Sequence, residues 1–400
     1  MHDWLQIARN QAEERFRSLP FPAPKDENYR FTPIAYREGV AAVSAAGDVP
    51  PAIAALDAEE GALLLLDGDE CTVLGQAQGF LFTDLLRAAT LGSEAVRLRL
   101  RESDLFKDDK FAQLTSARWK NGAFLHVPAG VKVTKPVRLA ACARESEEHH
   151  RNLIVLEEGA EAVLIQECWG NDDLRFVGEL TEVKLGRNSR LHWVVLQNQG
   201  AATDSVVRQR IEIGAGAELR YTPLHLGGKL TQVRQETHLA GEGASLETQG
   251  AARGGETQHF DFWLDARHES PRSQSNMDYW FVMAGKSRGV FNGQIEVKHG
   301  ATDCESSQRS KSLILGSGVV HSIPKLLIKT DAVKAAHGAS VSSVNFEQIH
   351  YLQSRGIPRA EAERMIVRGF TEGVVDRLPT EGLRGRADAA LDRKQGTLHA

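Results

Sequence analysis

Between Gly122 and about residue 255 the chain repeats itself, and this repeat limits the possible folds more than any other feature. Short runs of alternating apolar and polar residues (124–127, 153–156, 162–165, 191–196 and 206–213) are separated by corners that carry a glycine. The corners Gly159-Ala160, Gly186-Arg187, Gly214-Ala215 and Gly241-Glu242 follow one another at intervals of 27, 28 and 27 residues. A fixed period within roughly 20–50 residues marks a solenoid. Two strands of roughly five to eight residues per period fit a parallel β-helix better than any helical repeat. One such coil alone exposes both of its backbone edges, and stacked neighbours satisfy them. Glycine supplies the corner conformations in which a side chain would clash. The expected class is mainly β, a right-handed parallel β-helix.

The period blurs after 255. His259-Phe260-Asp261-Phe262 opens a stretch, through Trp280 and Phe281, that reads as irregular and aromatic-rich. Coils resume at Gly289-Val290-Phe291-Asn292-Gly293 and continue through Gly300-Ala301 and 312–316. Residues 325–333 read as a strand reaching a turn at His337-Gly338, with a second run at 339–344. Helices follow. Asn345 is a candidate N-cap, with Phe346, Ile349 and Leu352 at helical spacing behind it. Gly356 can end that helix in a left-handed conformation, and Pro358 suits the first turn of the next. There Ile366, Phe370, Val374 and Leu378 make a one-face row that Pro379 stops. Residues 384–400 are polar and small and are expected to fray.

Ahead of the repeat, residues 2–19 predict an amphipathic helix with Leu5, Ala8, Ala12, Phe16 and Leu19 near one face. The proline-rich 19–24 segment reads as an extended connector. A modest α/β region over 34–100 and a helix over 104–119 complete the reading. The expected organisation is an N-terminal α/β (helical) region over 1–121, the β-helix core over 122–344 and a C-terminal helical domain over 345–400.

Composition excludes several functions. The formal net charge is −5, which gives no electrostatic footing for nucleic acid. No stretch approaches the ~18 apolar residues of a membrane helix, and MHDWLQIARN lacks the basic start and apolar core of a secretory signal. Cys71, Cys142, Cys168 and Cys304 are far apart and form no CxxC pair, against a zinc ribbon or a local cysteine-ligated cluster. Few scattered cysteines fit a reducing cytoplasm. Arg253-Gly254-Gly255 lacks the layout of a nucleotide loop, and no nucleophile elbow is present.

The blocks DAVKAAHGASV (331–341), FEQIHYLQSRGI (346–357), MIVRGF (365–370) and LPTEGL (378–383) stand in order and resemble the C-terminal signature of the SufD family. SufD is a subunit of the SufBCD iron–sulfur cluster assembly machine. A looser match covers 27–33, and a His-Phe-Asp run and VFNGQIEV lie between. The resemblance implies a non-catalytic scaffold that pairs with SufB through the β-helix end and with the ATPase SufC through the C-terminal helices. A homodimer is the alternative in isolation. No cofactor is expected to be held stably by the chain alone. The resemblance places a contact to iron or a nascent cluster at His337, on the SufB interface. Phe346, Ile349, Tyr351, Leu352, Ile366, Phe370 and Val374 become the expected partner-binding residues.

Each candidate also has a plainer reading. A neutral imidazole can bind iron, and one histidine can replace a thiolate at a cluster, yet His337 before a glycine also suits a locally hydrogen-bonded turn. The family often carries a cysteine two residues earlier, where this chain has Ala335, so no thiol role belongs there. His321, in a fragment closer to SufB, reads as a solvated strand-end histidine, and the SufB cysteine nearby is replaced by Gly318-Val319. Cys304, flanked by Asp303 and Glu305, reads as structural. His259, Asp261 and Asp265 share one strand face, with His268 near, and suit a polar outer face as well as a metal. His149-His150 reads as part of a charged loop. Two alternatives are a SufB-like cluster scaffold and, remotely, a carbohydrate-active β-helix enzyme using Asp261, Asp265 and Asp278.

Overall fold

The computed structural model describes residues 3–23, 25–26, 29–34, 36, 38, 49–75, 78–91, 96–97, 100 and 106–394, with Asp3 and Phe346 described by their backbone only. Two long sheets face each other. The first runs, in spatial order, β2 (Glu70–Gly75), β1 (Ala62–Asp67), β5 (Val137–Cys142), β7 (Glu161–Trp169), β9 (Arg190–Asn198), β11 (Glu218–His225), β13 (Ser245–Gly254), β15 (Gln274–Met283), β17 (Cys304–Ile314) and β19 (Val333–Ser343). The second runs β3 (Leu81–Asp84), β4 (Ala123–Val127), β6 (Glu147–Leu156), β8 (Arg175–Leu185), β10 (Thr203–Ile213), β12 (Leu230–Leu239), β14 (His259–His268), β16 (Arg288–Val297) and β18 (Val319–Ile328). From β4 onward successive strands alternate between the sheets and pair in parallel, so two strands make one coil of a parallel β-helix. The N-terminal segment extends both ladders, β1 pairing parallel to β5 and β3 antiparallel to β4.

The coil length matches the sequence period. Glu218 pairs with Arg190 and with Ser245, intervals of 28 and 27 residues, and the interval grows to 31 between Gln274 and Glu305. The stretch 259–281 is not irregular: β14 and β15 are full strands in register with both neighbours. The drift in coil length hides the period, and bulky rings replace aliphatic filling. Phe262, Tyr279, Phe281 and Phe291 pack together inside the lumen, tilted or edge-to-face, with centroids 4.8–6.3 Å apart. Each such ring buries enough apolar surface to contribute about 1.5–3 kcal/mol.

The corner glycines serve two purposes. Gly159 has φ +66°, and the same left-handed position is filled by Asn188, Gly216 and Gly243 on later coils. Gly186, Gly214 and Gly241 instead lie against the coil beneath. A Cβ on Gly241 would stand 1.9 Å from the Ala215 nitrogen, and one on Gly214 2.7 Å from the Leu185 oxygen. Close stacking of backbones, not an unusual φ, therefore fixes three of the four corners that carry the period.

Helices cover the outer faces. Those whose bounds are described are α1 (Asp3–Ser18), α2 (Pro51–Ala54), α3 (Leu85–Thr90), α4 (Lys110–Arg118), α5 (Phe346–Ser354), α6 (Arg359–Val375) and α7 (Glu381–Arg393). Phe16 of α1 and Phe111 and Leu114 of α4 bury against Phe176 and Val206 on the second sheet. Asp109 caps α4, accepting from the Phe111 and Ala112 amides at 3.0 and 2.9 Å. Asn345 caps α5 as its sequence suggests, accepting from the Glu347 amide at 2.8 Å, and Gly356 ends that helical turn at φ +83°.

Residues 384–393 do not fray. They form α7, capped by Thr380, whose hydroxyl accepts from the Leu383 amide at 3.1 Å. Leu383, Ala387, Ala390 and Leu391 are buried with Ile165, Val194, Leu196, Leu224 and Ala251 on the outer face of the first sheet. The last residues, 395–400, lie outside the described part.

Candidate site at the open end of the β-helix

A stack of hydrogen-bonded coils must stop, and here it stops at β18 and β19. Each is the last strand of its sheet, so each presents one edge of backbone N–H and C=O groups with no strand beyond it among the described residues. Both strands are largely uncovered, and Val319, Leu327, Ile328 and Val341 are exposed apolar residues on them.

His337 lies in the middle of β19, not at a turn: the ladder with β17 runs unbroken from Cys304↔Val333 to Ile314↔Ser343. The His337-Gly338 pair suggested a turn because glycine weakens strand propensity, but cross-strand pairing over eleven positions overrides it. His337 pairs in register with Gln308. Residues paired in this way project to the same side of a sheet, and Gln308, with Cys304, Ser306, Ser310 and Ser312, is buried on the lumen side of β17. His337 is exposed. It therefore stands on the lumen face at the mouth of the β-helix, above a polar floor. In that floor Gln308 Oε1, Ser310 Oγ and Ser312 Oγ have no hydrogen-bond partner among the described residues. The inward projection of Ser306, Gln308, Ser310 and Ser312 follows from the sheet register.

His321 does not join this site. It pairs with Val290, while Ser322 pairs with the lumen residue Phe291, so His321 projects outward. There it stacks on Phe31 at 4.3 Å between centroids and 17° between planes. Burial, then the positive charges of Arg288 and Arg30, hold its imidazole below the usual range. Cys304 is fully buried in the lumen with its Sγ 3.2 Å from Ser273 Oγ.

His259, Asp261 and Asp265 do share the outer face of β14, but not as a solvated surface. Thr32 meets His259 Nε2 at 3.1 Å, and Gln232 donates to Asp261 at 3.1 Å, so the segment around Thr32 roofs the strand. Burial raises the Asp261 and Asp265 carboxyls and presses His259 down to about 4. His268 faces inward, its two ring nitrogens 2.8 and 2.9 Å from Ser273 and Ser275. Asp278 lies on the other sheet, held by Arg309 at 2.6 Å. The three aspartates of the carbohydrate-enzyme reading are thus divided between two sheets. His149-His150 is no loop: both histidines are buried in β6, His149 between Thr115 and Glu147 and His150 on Asn121. Among the described residues no three His, Cys, Asp or Glu side chains converge as a metal site.

The expected docking row needs correction. Val374 is 1% exposed and packs on the chain's own β-helix with Leu378, while Ile366 and Phe370, half-buried, pack on Val282, Ala284, Leu313 and Leu315. The first sheet's outer face is apolar and takes up this row, so it holds α6 in place. Ile349 is buried as well. Of the remaining positions Tyr351 is 59% exposed and Leu352 is half-buried; the side chain of Phe346 lies outside the described part. No helix among the described residues is long and apolar enough to cross a membrane.

Comparison with known proteins agrees with this architecture. The family model described as "SUF system FeS cluster assembly, SufBD core domain" matches residues 139–370. The iron–sulfur cluster assembly protein SufD of Bacillus subtilis is 29% identical, covering 98% of this chain and 94% of its own length. The SufD of Escherichia coli is 26% identical over 96% of this chain and 92% of its own. The SufB of Bacillus subtilis is 29% identical, but over 76% of this chain and 67% of its own. With a matched core of coils, this chain belongs to the SufBD family of the SUF iron–sulfur cluster assembly system.

Proposed function

We propose that the chain is a non-catalytic, SufD-type scaffold subunit of a SufBCD complex. It pairs with SufB through the edges of β18 and β19 and with the ATPase SufC through the exposed parts of the C-terminal helices around Tyr351 and Leu352. The observation that carries this reading is the unfinished end of both sheets, with exposed apolar residues and His337 on it. A partner ending in similar strands completes the ladders by β-augmentation. His337 then lies in the joint, where its imidazole contacts iron or a nascent cluster, which are the cargo of the system. Without SufB, a second copy of the chain can take the same edges. The near full-length match to two SufD proteins supports this over a SufB-like scaffold, as does the absence of a cysteine at Gly318-Val319.

The test is reconstitution. Tagged chain is expected to co-purify SufB and SufC, and His337→Ala is expected to keep the complex while lowering iron incorporation. Iron loading at the wild-type level in that variant removes His337 from the chemistry, and failure to capture SufC removes the scaffold assignment.

A further inference from the structure

A cleft of about 430 Å³ separates α6 and α7 above β13, away from the open end. Its floor is Arg253, which is 2% exposed. Among the described residues the Nε and Nη2 of this guanidinium have no hydrogen-bond partner. Asp392 acts on it only from further away, and burial brings its pKa down to about 10. Beside it Lys394 donates to Gln258 and is itself pressed to about 8, by burial and then by the Arg253 charge. A buried guanidinium with two idle donors is costly, and proteins otherwise pair or hydrate such a group.

The lining narrows what can answer it. Arg253, Arg364, Arg368 and Arg384 supply four positive charges; Glu361, Glu372, Asp376, Asp388 and Asp392 supply five negative ones. The Glu361–Arg364 pair is already formed within α6. A multiply charged phosphate entering this net-negative cleft meets more repulsion than attraction. A single carboxylate carries half that charge and meets correspondingly less repulsion, while its two oxygens match the planar guanidinium fork. Met365, Val375 and Leu391 add an apolar wall for the methylenes that carry such a group.

We propose that this cleft is a receptor for one carboxylate, an Asp or Glu side chain presented by a protein that docks on the C-terminal helices, with Arg253 as its bidentate donor. The assignment does not depend on which protein docks or on what happens at His337. The test uses the isolated full-length chain, so its failure leaves the cluster-assembly reading untouched. Arginine Nε–Hε resonances are followed while sodium acetate, inorganic phosphate or sodium chloride is added at matched ionic strength, with Arg253→Met identifying the Arg253 signal. Acetate is expected to shift that signal saturably, with a midpoint about tenfold below that of phosphate because the second charge meets a net-negative lining, and chloride is expected to leave it in place. Arg253→Lys, which keeps the charge and loses the fork, is expected to fold and to lose saturable stabilisation by acetate in thermal unfolding. Arg253→Met is expected to unfold at or above the wild-type temperature. An unmoved signal, tighter binding of phosphate, undiminished acetate stabilisation in Arg253→Lys, or collapse of Arg253→Met would each overturn the proposal, the last by showing that the guanidinium already has a structural partner.

Discussion

Arg138 donates to Glu60 at 2.8 Å with both side chains wholly shielded from solvent. The pair belongs to a larger set. Arg138 also donates to the Ile53 carbonyl at 2.9 Å, and Arg386 of α7 reaches Glu167 at 2.6 Å and Glu60 at 3.3 Å. Two arginines and two glutamates thereby join the 53–60 segment, β5, β7 and the C-terminal helix. Removing one member of a buried set leaves its partner charged and unmatched, a cost of about 3–5 kcal/mol. Arg386→Met is therefore expected to lower the urea midpoint strongly, and α7 should lose amide-exchange protection before the coils do. A loss under about 1 kcal/mol would mean that Glu167 finds compensation elsewhere.

The two roles of the corner glycines separate by substitution. At Gly243 (φ +69°, with no atom within 4 Å of an added Cβ) Gly243→Ala meets only backbone strain, about 1–2 kcal/mol. At Gly241 the added carbon falls 1.9 Å from the Ala215 nitrogen and 2.4 Å from the Gly214 carbonyl carbon. Two coils must part to admit it, so Gly241→Ala is expected to cost more than about 4 kcal/mol, an unusually large value for one methyl. Chemical denaturation of the two variants side by side checks the order; equal losses would contradict the close-stacking account.

These results show which features the sequence made readable. The β-helix was legible because stacking repeats its demands every coil, at Gly186, Gly214 and Gly241 alike. The caps at Asn345 and Gly356 were legible because they act within one helical turn. Helix α7 was obscured by its small contact residues: Ala387 and Ala390 sit at helical spacing with Leu383 and Leu391, but alanine in a polar stretch carries little hydropathy signal. The Arg138–Glu60 pair and Arg253 were out of reach because their surroundings are set by chain segments far apart in sequence. At the candidate site the resemblance singled out His337, while its lumen-side placement above Gln308 needed the strand register.

Buried histidines set the acid limit of the fold. Burial alone presses His225 to about 3 and His268 to about 4, against an ordinary value near 6.5. A folded-state pKa below the unfolded value means the unfolded chain binds the proton first. Stability is thus fully present above about pH 6.5 and falls as pH drops toward 4, by up to about 1.4 kcal/mol per pH unit for each such histidine. His225 lies against Phe262 at 4.7 Å, tilted by 33°, and its Nδ1 has no partner among the described residues, so His225→Leu should fold. Its stability is expected to decline less steeply between pH 6.5 and 4 than that of the wild type in urea titrations. An unchanged slope would show that His225 protonates in the folded protein.

The open end separates surface from chemistry. Val341 is 58% exposed on β19, four residues beyond His337. A lysine on an edge strand is a recognised block to pairing with another chain. Val341→Lys is expected to leave the isolated chain within about 0.5 kcal/mol of wild type, since nothing buried is lost. Light scattering after gel filtration should show any self-association abolished, and capture of SufB should fall with it, while capture of SufC through the helices persists. His337→Ala should behave oppositely, with capture of both partners kept and iron loading reduced. If Val341→Lys still captures SufB as well as the wild type does, the unpaired edges of β18 and β19 are not the joint, and the partner must be sought on the helical face.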